Sequence, residues 1–115
     1  MLTVTFTYNR DKRKASLCLK GHAGQADIGR DIVCASASIL AYTVAQIVKA
    51  MDSHKDLEDA PTISLENGDA IVSCRAKDDY LYSEVLHTFF VVQTGYALLA
   101  HNYPQYVQII TDGEA

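Results

Sequence analysis

The sequence predicts an α+β fold of two layers, with two helices covering one face of a mainly antiparallel sheet in the order ββαββαβ. Three observations predict it. Leu2, Val4, Phe6 and Tyr8 alternate with Thr3, Thr5 and Thr7, the period of a half-buried strand. Two long segments repeat their apolar residues at helical spacing. Between them, Asn67-Gly68 separates two short strand-like runs, and this pair tolerates the positive φ angles that two-residue hairpin turns require.

Taken in order, the first strand gives way to a polar turn over residues 9–14, and a second strand runs over 15–20. Residues 21–31 carry three glycines and no sustained period, which predicts a loop. The spacing of Val33, Ala37, Leu40, Val44, Ile47 and Met51 predicts a helix over 32–51. A polar stretch then leads to strands over 62–66 and 70–75, joined by the Asn-Gly pair. The second helix is expected over 79–102, with Leu81, Val85, Phe89, Val92, Tyr96 and Leu99 as its buried stripe. Phe90 lies off that stripe, either as another buried side chain or as a dimer contact. Pro104 ends the helix, and residues 106–111 form the last strand.

Bulk composition bounds the function. At 115 residues, 49% hydrophobic and 21% charged, residues 1–115 make a single globular domain that needs no disulfide or metal staple. The net charge is -4, and the one basic run, Arg10 to Lys14, is short, so no direct nucleic-acid binding is expected. Cys18, Cys34 and Cys74 are odd in number and lack zinc-site spacing, which leaves no metal or cofactor to expect. The N-terminus has no apolar signal core, and Gln46, Lys49, Gln93 and His101 interrupt the helical apolar stretches. No membrane span is therefore expected, and a reducing cytoplasm suits the free thiols.

Chemistry concentrates between Gly21 and Ser38. A glycine-bearing loop with His22 runs into a helix whose first turn holds Cys34, and Asp31 is a favoured N-cap residue. Capping by Asp31 puts Cys34 at the third helical position, where the unpaired N–H groups and the dipole favour a thiolate. The same N–H groups are candidates for holding the oxyanion formed when a thiolate attacks a peptide carbonyl. His22 is placed to take the thiol proton and return one to the leaving amine. Each residue also has a plainer reading. A cysteine near a helix start is often a small buried hydrophobe, and a loop histidine is often only solvated. Asp31 reads first as a cap, and otherwise as a group orienting His22. Ser38, one turn beyond Cys34, either faces the site or satisfies a carbonyl of its own helix. Gly21, with Gly24 and Gly29, gives turn conformations and hinges for a closing loop. Cys18 and Cys74, on strands, read as packing residues.

The run Gly21-His22-Ala23-Gly24, followed by Gly29-Arg30-Asp31-Ile32-Val33-Cys34-Ala35 and then Ser38, resembles the signature of the ribosomal-processing cysteine protease family. The likeness extends to Val72-Ser73-Cys74 after the Gly68 hairpin and to the segment from Asn102 to Val107. The resemblance implies a small homodimeric bacterial endopeptidase with Cys34 as nucleophile and His22 as general base. Asp31 and Ser38 would be supporting residues. Its substrate would be the short N-terminal extension of large-subunit ribosomal protein L-twenty-seven, cut after paired aromatics. Similar enzymes in phages act on capsid-type proteins. Gln25 and Ile28 stand where the family often has tyrosine, and Ala35-Ser36-Ala37-Ser38 replaces Ala-Ala-Val-Ser. A non-catalytic ribosome-associated module that grips the extension is the alternative function. A thiol redox sensor would further require a resolving cysteine beside Cys34.

Overall fold

The alternation at the N-terminus becomes strand β1 (Leu2–Asn9), whose Leu2, Val4, Phe6 and Tyr8 all point into the core. Asn9 and the following turn reverse the chain into β2 (Lys14–Lys20), which buries Ala15, Leu17 and Leu19 on the same face. The computed structural model describes residues 1–26 and 31–115. Within it follow α1 (Ile32–Ser53), β3 (Thr62–Glu66), β4 (Asp69–Arg75), α2 (Asp79–Asn102) and β5 (Val107–Glu114). The expected order ββαββαβ is observed, with boundaries shifted by up to three residues.

The five strands form one open sheet in the order β3-β4-β2-β1-β5. All neighbouring pairs are antiparallel except β1 with β5, which run parallel from Leu2 opposite Val107 to Asn9 opposite Glu114. Helix α2 makes the long crossover that a parallel pairing demands. It packs on β2 and β5, while α1 packs on β3 and β4 and the two helices pack together. Phe6 is the centre of this layer. Its ring meets Tyr96 of α2 edge-on, with centroids 5.8 Å apart.

The α2 stripe is nearly the expected one, with Tyr82 fully buried where Leu81 was expected and Leu81 only partly covered. In α1 the inward face is different. Val33, Ala37, Ala41, Val44, Ala45 and Val48 are buried, whereas Leu40 and Met51 are partly covered and Ile47 is exposed. The helix turns its alanines inward because they permit a close approach to the sheet and to α2. Leu40 instead lies over Gly95 of α2, where a Cβ would fall 2.9 Å from Leu40 Cδ2. Phe90 is likewise outside the core at 44% exposure, with its ring edge against Tyr8. Helix α1 is also long and apolar enough to cross a membrane by length and composition, despite Gln46 and Lys49. In this fold its alanine face packs toward the sheet and α2.

Candidate active site

The site forms where the β2–α1 loop, the head of α1 and the β3–β4 turn converge. Asp31 caps α1 as its side-chain type predicts. Oδ1 accepts hydrogen bonds from the N–H groups of Val33 at 3.0 Å and Cys34 at 2.9 Å. Oδ2 accepts from the Gln25 N–H at 3.1 Å, so one carboxylate joins the loop to the helix start. Asp31 is buried, which works to raise its pKa. Hydrogen bonds from the Cys34 backbone, the Cys34 side chain and the backbones of Gln25 and Ala26 prevail, and hold it below the usual carboxylate value.

Cys34 sits at the third helical position, half-buried, with Sγ accepting a hydrogen bond from the Ala23 N–H at 3.3 Å. That bond fixes the residue after His22 against the sulfur. His22 and Cys34 both line a cavity of about 260 Å³, together with Gly21 and Ser38. They also line a second cavity of about 230 Å³, whose wall includes Asp31, Ala35, Ser38 and Asn67. Cys34, His22, Asp31 and Ser38 are thus brought together. Gly21, at φ +90°, is held by a bond from its N–H to the Gly68 carbonyl, and a Cβ there would lie 2.6 Å from the Met1 carbonyl oxygen. Asp31 acts as a cap and loop tie, and the described bonds of its carboxylate go to backbone N–H groups and to Cys34 rather than to His22.

Three of the helix-start N–H groups already have partners within the chain. The N–H groups of Val33 and Cys34 are taken by the Asp31 side chain, and that of Ala35 by the Asp31 carbonyl. The cap side chain thus satisfies part of the set of N–H groups that a helix start leaves unpaired.

The β3–β4 turn is the part of the site that sequence reasoning missed. Asn67-Gly68 was legible as a turn, but nothing local indicated what the turn would face. A Cβ on Gly68 would fall 2.7 Å from His22 Nε2, so the imidazole rests directly on the glycine. Gly68 has φ +76°, while Arg13 and Lys55 are the non-glycine residues with positive φ among the described residues. The turn therefore needs its left-handed residue only at the second position, a type II pattern rather than the doubly left-handed one. Cys18 is partly buried on β2, and Cys74 is buried on β4, where desolvation pushes its thiol up to about 12. Gln25 contributes its backbone N–H as described, and Ile28, Gly29 and Arg30 lie outside the described residues.

A two-layer α+β domain that sets a helix-start thiol and a loop imidazole in one cavity has the composition of a thiol-dependent hydrolase. The sequence profile of the family described as cysteine protease Prp matches residues 1–108, and the chain belongs to that family. It is accordingly a cysteine protease, a hydrolase of peptide bonds, which decides between an enzyme and a non-catalytic binder in favour of the enzyme. Similar folds occur among solved structures. SMU.848 from Streptococcus mutans is 26% identical, with 99% of this chain and 96% of that one aligned and a TM-score of 0.66. The essential ribosomal processing protease Prp from S. aureus, bound to a covalently linked product peptide, is 21% identical. There 96% of this chain and 99% of that chain align, with a TM-score of 0.71. The same S. aureus protease with a substrate peptide gives 20% identity, the same coverage and a TM-score of 0.67. At these last two identities the likeness is one of fold. No curated protein matches the sequence.

Proposed function

We propose that this chain is a ribosomal-processing endopeptidase that removes the N-terminal extension of large-subunit protein L-twenty-seven, cutting after paired aromatic residues. Cys34 attacks the scissile carbonyl, His22 takes the thiol proton and gives it to the leaving amine, and water hydrolyses the acyl-enzyme. The observation that carries this reading is the Ala23 N–H bond to Cys34 Sγ, which locks the His22 segment onto the sulfur within one cavity. The cavity supports the substrate class. Leu2, Leu19, Ala37, Ala41, Leu65 and Ala70 form the apolar part of its lining, beside polar groups that include Glu66 and Asp69, and its volume of about 260 Å³ accommodates a large side chain. The names of the S. aureus structures, a ribosomal processing protease with substrate and product peptides, point the same way.

The proposal includes a homodimer in the cytoplasm. Ile39, Phe90, Val91 and Leu98 are exposed apolar residues on the two helices, which supports burial against a second copy. Sedimentation of the purified protein reads the oligomeric state directly, with a dimer expected and a concentration-independent monomer as the contrary result.

The function is tested by incubating the protein with L-twenty-seven carrying its extension, and with a phage capsid-type precursor as comparison. Cleavage after the paired aromatics, abolished by Cys34→Ala and by His22→Ala with the fold intact, is expected. Cleavage persisting in Cys34→Ala, or restricted to the capsid precursor, contradicts the reading.

A further inference from the structure

We propose that the Asn67 carboxamide is a catalytic residue, donating an N–H to the substrate carbonyl oxygen as it becomes an oxyanion. The inference rests on Cys34 being the nucleophile. Attack by Sγ forms the C–S bond and moves the carbonyl π electrons onto oxygen, which then needs donors in place. When the tetrahedral species collapses, that electron pair re-forms the C=O bond. The C–N bond breaks, and the amine leaves with the proton that the imidazole took from the thiol.

Donors for this oxygen are scarce at the helix head. Asp31 engages the N–H groups of Val33, Cys34 and Ala35, which directs the search for further donors to the surrounding walls. Asn67 and Ser38 are the two neutral side-chain donors that line both cavities beside Cys34. Ser38 stands on α1 itself, one turn past the sulfur. Asn67 stands on the β3–β4 turn, which lines the same two cavities from a different element than the helix that carries the sulfur. The turn that carries the exposed Asn67 is anchored on both sides. Strands β3 and β4 flank it, Gly68 carries the His22 ring, and the Gly68 carbonyl is bonded to the Gly21 N–H.

The backbone does not account for asparagine at this place. Only Gly68 of the pair adopts positive φ, so Asn67 makes no use of the left-handed tolerance for which asparagine is favoured in such turns. Alanine fits the same backbone without strain.

The experiment compares wild type, Asn67→Ala and Asn67→Asp, each checked for an unchanged melting temperature. Steady-state cleavage of a peptide that continues several residues beyond paired aromatics is measured beside the rate at which iodoacetamide alkylates Cys34. Alkylation displaces iodide and forms no oxyanion, so it reports on the thiol and imidazole alone. The expected result is a kcat about 10²- to 10³-fold lower in both variants, the loss associated with one oxyanion donor, with KM and alkylation rate within about threefold. If Asn67→Asp fails to fold, Asn67→Ala alone carries the test. A kcat within about threefold of wild type overturns the proposal. So does a parallel loss of cleavage and alkylation, which would make Asn67 a support for the thiol–imidazole pair. Wild-type cleavage that survives complete alkylation of Cys34 would instead remove the nucleophile assignment beneath it.

Discussion

Replacing Asp31 with alanine removes, along with its contacts to the Ala26 backbone and the Cys34 side chain, three hydrogen bonds whose geometry sets the size of the effect. Two are cap bonds to the N–H groups of Val33 and Cys34, and the third ties the Gln25 N–H to the same carboxylate. Losing an N-cap side chain costs about 1 kcal/mol. Leaving the loop N–H without its partner adds about 1 kcal/mol. For a domain of 115 residues, the total of about 2 kcal/mol lowers Tm by roughly 8 °C, taking about 2.1 cal/mol/K of unfolding entropy per residue. Asparagine in place of this aspartate keeps one acceptor oxygen and remains a good cap, so Asp31→Asn should lose about half as much. The effect also has a pH signature. The folded carboxyl titrates below its unfolded value of about 3.9, so its ionised form contributes stability fully above that pH. That contribution disappears as the pH falls through the folded value. Urea denaturation of wild type and Asp31→Ala between about pH 7 and about pH 2.5 should therefore show a gap that narrows below about pH 4. A gap under about 0.5 kcal/mol at neutral pH, or one of constant size down to about pH 2.5, would refute the cap-and-tie account.

Other parts of the structure give sharper or simpler readouts. Gly68→Ala forces a side chain into positive φ and against the His22 ring. It should cost about 1–2 kcal/mol by denaturation and at least about tenfold in kcat/KM, because the imidazole must move. Tyr96→Phe removes a buried hydroxyl that donates to the Ala37 carbonyl at 2.7 Å, one turn below Cys34. A loss of about 1 kcal/mol is expected in urea titrations. Cys74, held up to about 12 by burial, should resist iodoacetamide in the native protein at about pH 8 and react only after unfolding, as read by peptide mapping. Because the folded thiol keeps its proton where the unfolded one, near about 8.5, has lost it, stability should fall with rising pH from about pH 8.5 toward about 12. Cys74→Ala should flatten the first part of that fall.

The fold was legible because its strands and second helix carry clean periods. Leu2 to Tyr8 alternate with polar threonines, and Val85, Phe89, Val92, Tyr96 and Leu99 keep one helical spacing. Helix α1 misled because it is apolar almost all round. Small alanines at 37, 41 and 45 and large aliphatics at 39, 40 and 47 fit several stripes, and only packing against α2 selects the alanine face. The parallel place of β5 beside β1 had no local signal, since that pairing joins the two ends of the chain.

The same division runs through the site. Asp31 as cap and Cys34 in the first helical turn follow from residues adjacent in sequence, so the motif contained them. Asn67 and Gly68 reach His22 from a distant part of the chain, through the pairing of β4 with β2. Their part in the site is a matter of register, which appears only once the sheet is assembled. The occupation of the Val33 and Cys34 N–H groups follows from the same local signal, because a capping carboxylate accepts from the second and third helical residues.

The central claim is that the Cys34 thiolate forms a covalent bond to the substrate acyl group. It is tested most directly by acid-quenching the protein within milliseconds of mixing with the extension peptide and locating any adduct by mass spectrometry. The account predicts a thioester of the N-terminal product on Cys34, formed before free product accumulates and absent in Cys34→Ala. Product released at full rate with Cys34 unmodified at every time point, or an adduct on Cys18 or Cys74, would contradict it.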